Sequence, residues 1–221
     1  MIRNERVVAR PAQSELATNK VLRNTYLLLS MTLLFSAVTA GFAMVTNAPP
    51  MGFLALIVYF GLLWGTTALR NSPWGILMVF ALTGFLGYTL GPLLNYYLSL
   101  PGGNQVVMTA MAGTGVIFLA LSGYALVSRK DFSFIGGFLM VGILVAFLAS
   151  LAGFFLQMPA LSLAVSAMFI LLMSGLILYQ TSEIIHGGET NYIMATVTLY
   201  VAIFNLFQSL LMLLGFASGE D

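Results

Sequence analysis

Seven long apolar stretches run through this chain, and almost every charged residue falls between them. A helix needs about 20 apolar residues to cross roughly 30 Å of hydrocarbon, at 1.5 Å per residue. Backbone groups in lipid find no water and must pair within their own segment, so each stretch is predicted to be a helix. Composition supports this: 60% of residues are hydrophobic and only 7% charged, and the mean hydropathy is +0.99. A soluble domain carries about 25% charged residues on its water-facing surface. The fold class is therefore all-α, a polytopic membrane protein with seven transmembrane helices.

Polar punctuation places the spans. The first runs from about Val21 to Val45 and ends at Thr46-Asn47-Ala48-Pro49-Pro50; the second covers about Met51–Leu69; the third covers about Trp74–Leu98. The fourth covers about Gln105–Val127, the fifth Phe134–Leu156, the sixth Ala160–Ser182 and the seventh Tyr192–Phe216. Two regions result: a cytoplasmic tail over residues 1–20, expected to be flexible, and a single seven-helix domain over 21–217. The first stretch reads as a span rather than a cleaved leader. The charged segment before it is long and holds Glu5 and Glu15, and the apolar run exceeds the 7–15 residues of a leader's apolar region.

Lys and Arg set the orientation. Arg3, Arg6, Arg10, Lys20 and Arg23 precede the first span, Arg70 lies after the second, and Arg129 and Lys130 follow the fourth. All eight basic residues thus fall on one side, predicted to be cytoplasmic. The C-terminus, with Glu220 and Asp221, is then periplasmic. A net charge of +1 offers no case for nucleic-acid binding, and the absence of Cys excludes disulfides and thiolate metal sites.

Small residues mark helix contacts. Gly84, Gly87 and Gly91 precede Pro92 in the third span, Gly113 and Gly115 lie in the fourth, and Gly136, Gly137 and Gly142 in the fifth. Such residues let backbones approach where lipid gives no apolar drive to associate. Gly91-Pro92 admits a second reading, a broken helix lining a binding site, though the two halves show no internal repeat. No Asp, Glu, Lys, Arg or His lies in the middle of a span, which argues against a proton-coupled pump or an intramembrane protease. Ser122-Gly123 and Ser174-Gly175 have no base placed for them and read as packing residues. No cofactor or metal is assigned, and no enzymatic activity is expected.

The sixth-to-seventh connection carries most of the remaining chemistry. Glu183, His186 and Glu189 recur every three residues before and after Gly187-Gly188. The plain reading is a helix end with a glycine turn, Glu189 or Thr190 helping to start the next helix. If the sixth helix continued, Glu183 and His186 would share a face, as metal ligands must. Arg129-Lys130-Asp131 reads as a topology anchor, with Asp131 or Ser133 capping the fifth helix. Gln180, Asn205 and Gln208 are amides inside spans, the last two on one face of the seventh. Interhelical hydrogen bonding is the expected role, a small hydrated cavity the alternative.

Several segments together give the chain a family look. They are Lys20-Val21-Leu22-Arg23-Asn24-Thr25-Tyr26, Thr83-Gly84-Phe85-Leu86-Gly87-Tyr88, Leu90-Gly91-Pro92 and Arg129-Lys130-Asp131-Phe132-Ser133-Phe134, with Ile184-Ile185-His186-Gly187-Gly188-Glu189-Thr190-Asn191-Tyr192 and Leu199-Tyr200-Val201. With these the chain resembles the Bax-inhibitor/YccA family of seven-span membrane proteins, and its bacterial branch in particular. The resemblance covers nearly the whole chain. It implies a multi-pass protein of the bacterial inner membrane that partners the AAA protease FtsH and its associated membrane proteins, as both substrate and restraint. Other members of the family resemble pH-sensitive calcium leak channels, which use one Asp in the sixth helix and one in the seventh. The matching positions are Gln180 and Ala202. Neither titrates, so a two-carboxylate switch cannot operate. Glu183 is the nearby carboxylate, and the candidate site comprises Gln180, Ala202, Glu183, His186, Glu189 and Asn205. The tail offers the protease a handle at Ile2, Arg3, Asn4, Glu5, Arg6, Val7, Val8 and Ala9, a polar stretch expected to stay disordered. Its other role is to set topology and bind anionic lipid.

Overall fold

A computed structural model of the protein describes residues 13–218, and over them it is helical without strands. The helices are α1 Gln13–Val45, α2 Phe53–Ala68, α3 Trp74–Leu98, α4 Gly103–Ser128, α5 Gly136–Leu156, α6 Pro159–His186 and α7 Tyr192–Ala217, with a 3-10 turn at Ser133–Ile135 before α5. Six are long and apolar enough to cross a membrane; α2, at 16 residues, is shorter. Two ties place α2 as a crossing element all the same. The end of α1 and the loop after it meet the far end of α3, where Asn95 donates to the Met44 carbonyl at 3.0 Å and to Asn47 Oδ1 at 3.5 Å. The loop after it meets the start of α7, where Asn191 donates to the Arg70 carbonyl at 3.0 Å and to Asn71 Oδ1 at 2.9 Å.

Two helices outrun their predicted spans by about a turn or more, and the cause is the same. The apolar criterion ends a span where lipid ends, whereas a helix continues until its backbone is capped. Thus α6 extends through Glu183 to His186. Likewise α1 begins at Gln13, so residues 13–20, assigned to the tail from sequence, are helical. At 33 residues, α1 is about 50 Å long and exceeds the hydrocarbon thickness by several turns.

The bundle is built around α7. It packs against α1, α3, α4 and α6, while α2 rests on α3 and α5 rests on α6. Half of the most apolar window of α7 is buried, against 17% for α5. Three apolar clusters hold the helices, and α7 enters each. Tyr200 and Leu199 join Leu29 and Leu82; Phe207 and Leu211 join Leu94 and Ala110; Ala202 and Leu206 join Met173 and Ile177. The outward faces carry Leu34, Val38, Trp64, Leu119 and Val127, all exposed. Exposed apolar surface on this scale belongs against lipid.

Close approach of α1 and α3 depends on three glycines. A Cβ on Gly84 would enter the Phe35 ring, one on Gly87 would meet the Ser36 carbonyl and the Thr39 hydroxyl, and one on Gly91 would meet Ala43. The stripe is a small-residue seam of the kind that lets van der Waals contact replace the missing hydrophobic drive. Pro92 lies inside α3 without breaking it, so the broken-helix reading of Gly91-Pro92 is not what the fold adopts. Gly115 and Gly137 face open space and are not packing residues.

Candidate functional site

The positively charged end of the bundle is assembled from three connections. Helix α6 closes with Gly187 in the left-handed region at φ 78. The Gly188 N–H donates to the Glu183 carbonyl at 2.8 Å and the Gly187 N–H to the Ile184 carbonyl at 3.3 Å. This pair of bonds is the Schellman closure, and a residue without a Cβ adopts it at little cost. The glycine turn was legible in the sequence; the residue that starts α7 was not. That role belongs to Asn191, whose Oδ1 accepts from Ile193 N at 3.0 Å and Met194 N at 3.1 Å. Glu189 supports it from behind, accepting from Asn191 N at 2.7 Å. A polar Asn directly before an apolar run is a recognisable start signal.

Continuation of α6 does not make Glu183 and His186 a ligand pair. The Glu183 carboxylate lies against Gly188, whereas His186 turns toward the α4–α5 connection. Its Nδ1 lies 2.9 Å from the Ser182 carbonyl and its Nε2 lies 3.1 Å from the Arg129 carbonyl. A neutral ring donates from one nitrogen, and the protonated ring from both. Ser182 Oγ accepts from Phe132 N at 2.9 Å and donates to the Lys130 carbonyl at 3.3 Å. Ser182 and His186 therefore fasten the end of α6 to the loop that carries the basic pair. Asp131 precedes the 3-10 turn and accepts from Ser133 N at 2.8 Å, whereas α5 starts after Ile135 without a side-chain cap, so neither Asp131 nor Ser133 caps the fifth helix. Those hydrogen bonds from Ser133, with a smaller contribution from His186 nearby, hold its carboxyl below the ordinary range. Among the described residues, no group of three or more His, Asp or Glu is placed to hold a metal ion.

Deeper in the bundle, Gln180 and Ala202 are both buried, at 5% and 0% exposure. Ala202 packs with Ile177, one turn before Gln180. The Gln180 Nε2 has no hydrogen-bond partner, and neither has the Thr25 hydroxyl. Close to them lies a polar cluster that sequence reading passed over: the Tyr26 hydroxyl pairs with Ser122 and lies 3.4 Å from Thr181 Oγ1. Tyr200 forms a second such cluster, donating to the Thr83 carbonyl at 3.1 Å and accepting from Ser36. It ties α7 to α1 and α3 at once. Single hydroxyls scattered through apolar runs give no sequence signal of these pairings, because the partners are far apart along the chain.

Asn205 does not bond to a neighbouring helix, as its expected role required. Its Nδ2 donates to the Val201 carbonyl of its own helix at 2.8 Å. With Gln208 it lines a cleft of about 750 Å³ between α2 and α5, floored by α3, α6 and α7. A second cavity, about 420 Å³, lies between α1, α3, α4 and α7, and Ser36, Thr114 and Tyr200 are its polar groups. The tail positions Ile2, Arg3, Asn4, Glu5, Arg6, Val7, Val8 and Ala9 lie outside the described residues.

A lipid-facing helical bundle with buried hydroxyl pairs, one amide-lined cleft and, among the described residues, no carboxylate pair at its centre defines a polytopic membrane protein. The chain belongs to the Bax-inhibitor family: the profile described as "Inhibitor of apoptosis-promoting Bax1" matches residues 18–219. It is 56% identical over 208 residues to "Modulator of FtsH protease YccA" of Escherichia coli (strain K12), covering 94% of both chains. An uncharacterized protein of Pseudomonas aeruginosa is 54% identical over 202 residues, 91% of each chain. An uncharacterized membrane protein of Vibrio cholerae serotype O1 is 43% identical over 208 residues, 93% of each.

Proposed function

We propose that this chain is an inner-membrane modulator of an FtsH-type protease, restraining it while being engaged through its own N-terminal tail. The observation that carries the reading is the 56% identity, over 94% of both chains, to the Escherichia coli protein named as modulator of that protease. A second Escherichia coli relative at the same identity is named an inner membrane protein, and the bundle's apolar exterior suits that location. The calcium-leak reading is the weaker one, because Gln180 and Ala202 cannot titrate and Glu183 lies at the helix end rather than at the centre. Relatives carry the names of a modulator and of membrane proteins, and the reading is non-enzymatic.

The tail supplies the test. Deleting Ile2–Ala9 leaves α1 whole from Gln13, with Lys20 and Arg23 next to the membrane. Those charges suffice to hold the orientation, since basic residues close to the first span dominate it. The deletion should lengthen the protein's lifetime in cells with active FtsH and slow turnover of the protease's other membrane substrates. A Gly/Ser linker of equal length should restore turnover, because it stays graspable. Equal lifetimes for the full chain and the deletion would remove the tail from the mechanism and move any restraint to the helices.

A further inference from the structure

We propose that the cleft between α2 and α5 is a binding site for a neutral, single-chain amphiphile whose hydrogen-bonding head rests on Asn205 and Gln208. The polar groups of the floor, the apolar walls and the aromatic contacts between the two helices lead there.

The floor is polar at an unusual depth. Asn205 lies close to the middle of α7, near the bilayer midplane. One amide N–H is used on the Val201 carbonyl, which leaves the second N–H and the side-chain oxygen without a partner among the described residues. Gln208, one turn on and half-buried, lines the same space, and among the described residues no protein group bonds to its amide. An amide left unpaired in hydrocarbon costs several kcal/mol. These groups therefore require a partner that is not protein. The lining contains no Lys, Arg, His, Asp or Glu, so nothing compensates a charged head. A carbonyl or hydroxyl fits the amides; a carboxylate or phosphate does not.

Water alone is a poor occupant. A volume of 750 Å³ would take roughly 25 waters at about 30 Å³ each, and each buried water needs about three hydrogen bonds. Beyond the two amides the lining offers only Tyr59, Thr89 and Ser150, and Thr89 already donates to the Leu86 carbonyl at 2.7 Å. The remaining wall is aliphatic and aromatic, which suits an apolar body carrying one polar head. The size lies within the range of small-molecule sites.

Aromatic rings bridge the two helices. Phe60 of α2 and Phe147 of α5 meet edge-on with ring centroids 5.8 Å apart, and Phe53 approaches Phe155 at 6.5 Å. Rings in contact between α2 and α5 leave no room there for a helix about 10 Å wide. A single hydrocarbon chain is slimmer, and the surrounding leaflet supplies it.

The test uses the full chain in lipid nanodiscs and a monoacylglycerol carrying a photoreactive diazirine in its acyl chain. Crosslinks should concentrate on peptides of α2, α5 and α7 that line the cleft. In the double variant Asn205→Leu/Gln208→Leu the labelling should fall roughly tenfold, the worth of one or two hydrogen bonds. Leu144→Trp, which fills the cleft without touching the amides, should abolish it and serves if the double variant fails to fold. The ionised fatty acid of the same chain length should label the cleft far more weakly. Labelling spread evenly over the outward faces would overturn the proposal, as would equal labelling of the wild type and both variants. Equal labelling by the ionised analogue would overturn the neutral-head assignment. None of these outcomes depends on the protease.

Discussion

Asn191 shows how much one side chain contributes to this bundle. Its oxygen closes the first turn of α7, and its amide nitrogen holds the Arg70–Asn71 connection. The two halves of the amide therefore do separable work. Asn191→Asp keeps the acceptor and loses the donor; Asn191→Ala loses both. Thermal unfolding in mild detergent should rank wild type above Asp and Asp above Ala, with the cap alone worth about 1 kcal/mol. An Ala variant as stable as the Asp variant would show that the cap contributes nothing. From sequence, three polar residues in a row compete for this position, Glu189, Thr190 and Asn191. Only backbone geometry decides which one faces the open N–H groups, so the site's chemistry was legible there while its division of labour was not.

Among the elements, α3 is set by its glycine seam. Gly87 faces the Ser36 carbonyl and the Thr39 hydroxyl with no room for a methyl group. Gly87→Ala should force α1 away from α3 and cost about 1–3 kcal/mol, the usual penalty for overpacking. Gly115→Ala, facing open space, should be neutral or slightly stabilising, since Ala is the better helix former. Comparing the two variants by thermal unfolding in detergent checks the seam directly. Equal effects would remove its special status. The seam's spacing was readable in the sequence, as were most span limits, because hydropathy and small-residue periodicity are local. The cleft was not readable. It arises because α2 and α5 each lean on a different partner, α3 and α6, and no local pattern encodes a gap between two helices. The same holds for Asn205 and Gln208: their shared face followed from helix periodicity, but what that face opens onto depended on the arrangement of five helices.

For the whole molecule, the alternation of connections between two ends is the organising fact. Loops bearing Arg70, Arg129 and Lys130 gather with His186 and Asn191 at one end, and Asn47 and Asn95 meet at the other. If the basic end is cytoplasmic, a reporter joined after Asp221 should be active only when it works in the periplasm. Reporters inserted beside Arg70 or Arg129 should behave as cytoplasmic. A cytoplasmic C-terminus would reverse the count of crossings. The position of α7 carries a further consequence, in time rather than in space. This helix enters all three apolar clusters, yet it is the last of the seven helices to be made. Until it inserts, its four neighbours α1, α3, α4 and α6 wait around an unfilled axis, with Leu82, Ala110 and Ile177 lacking the side chains that cover them in the finished bundle. A message cut short before Tyr192 would therefore leave these helices without the element at their centre rather than yield a smaller protein.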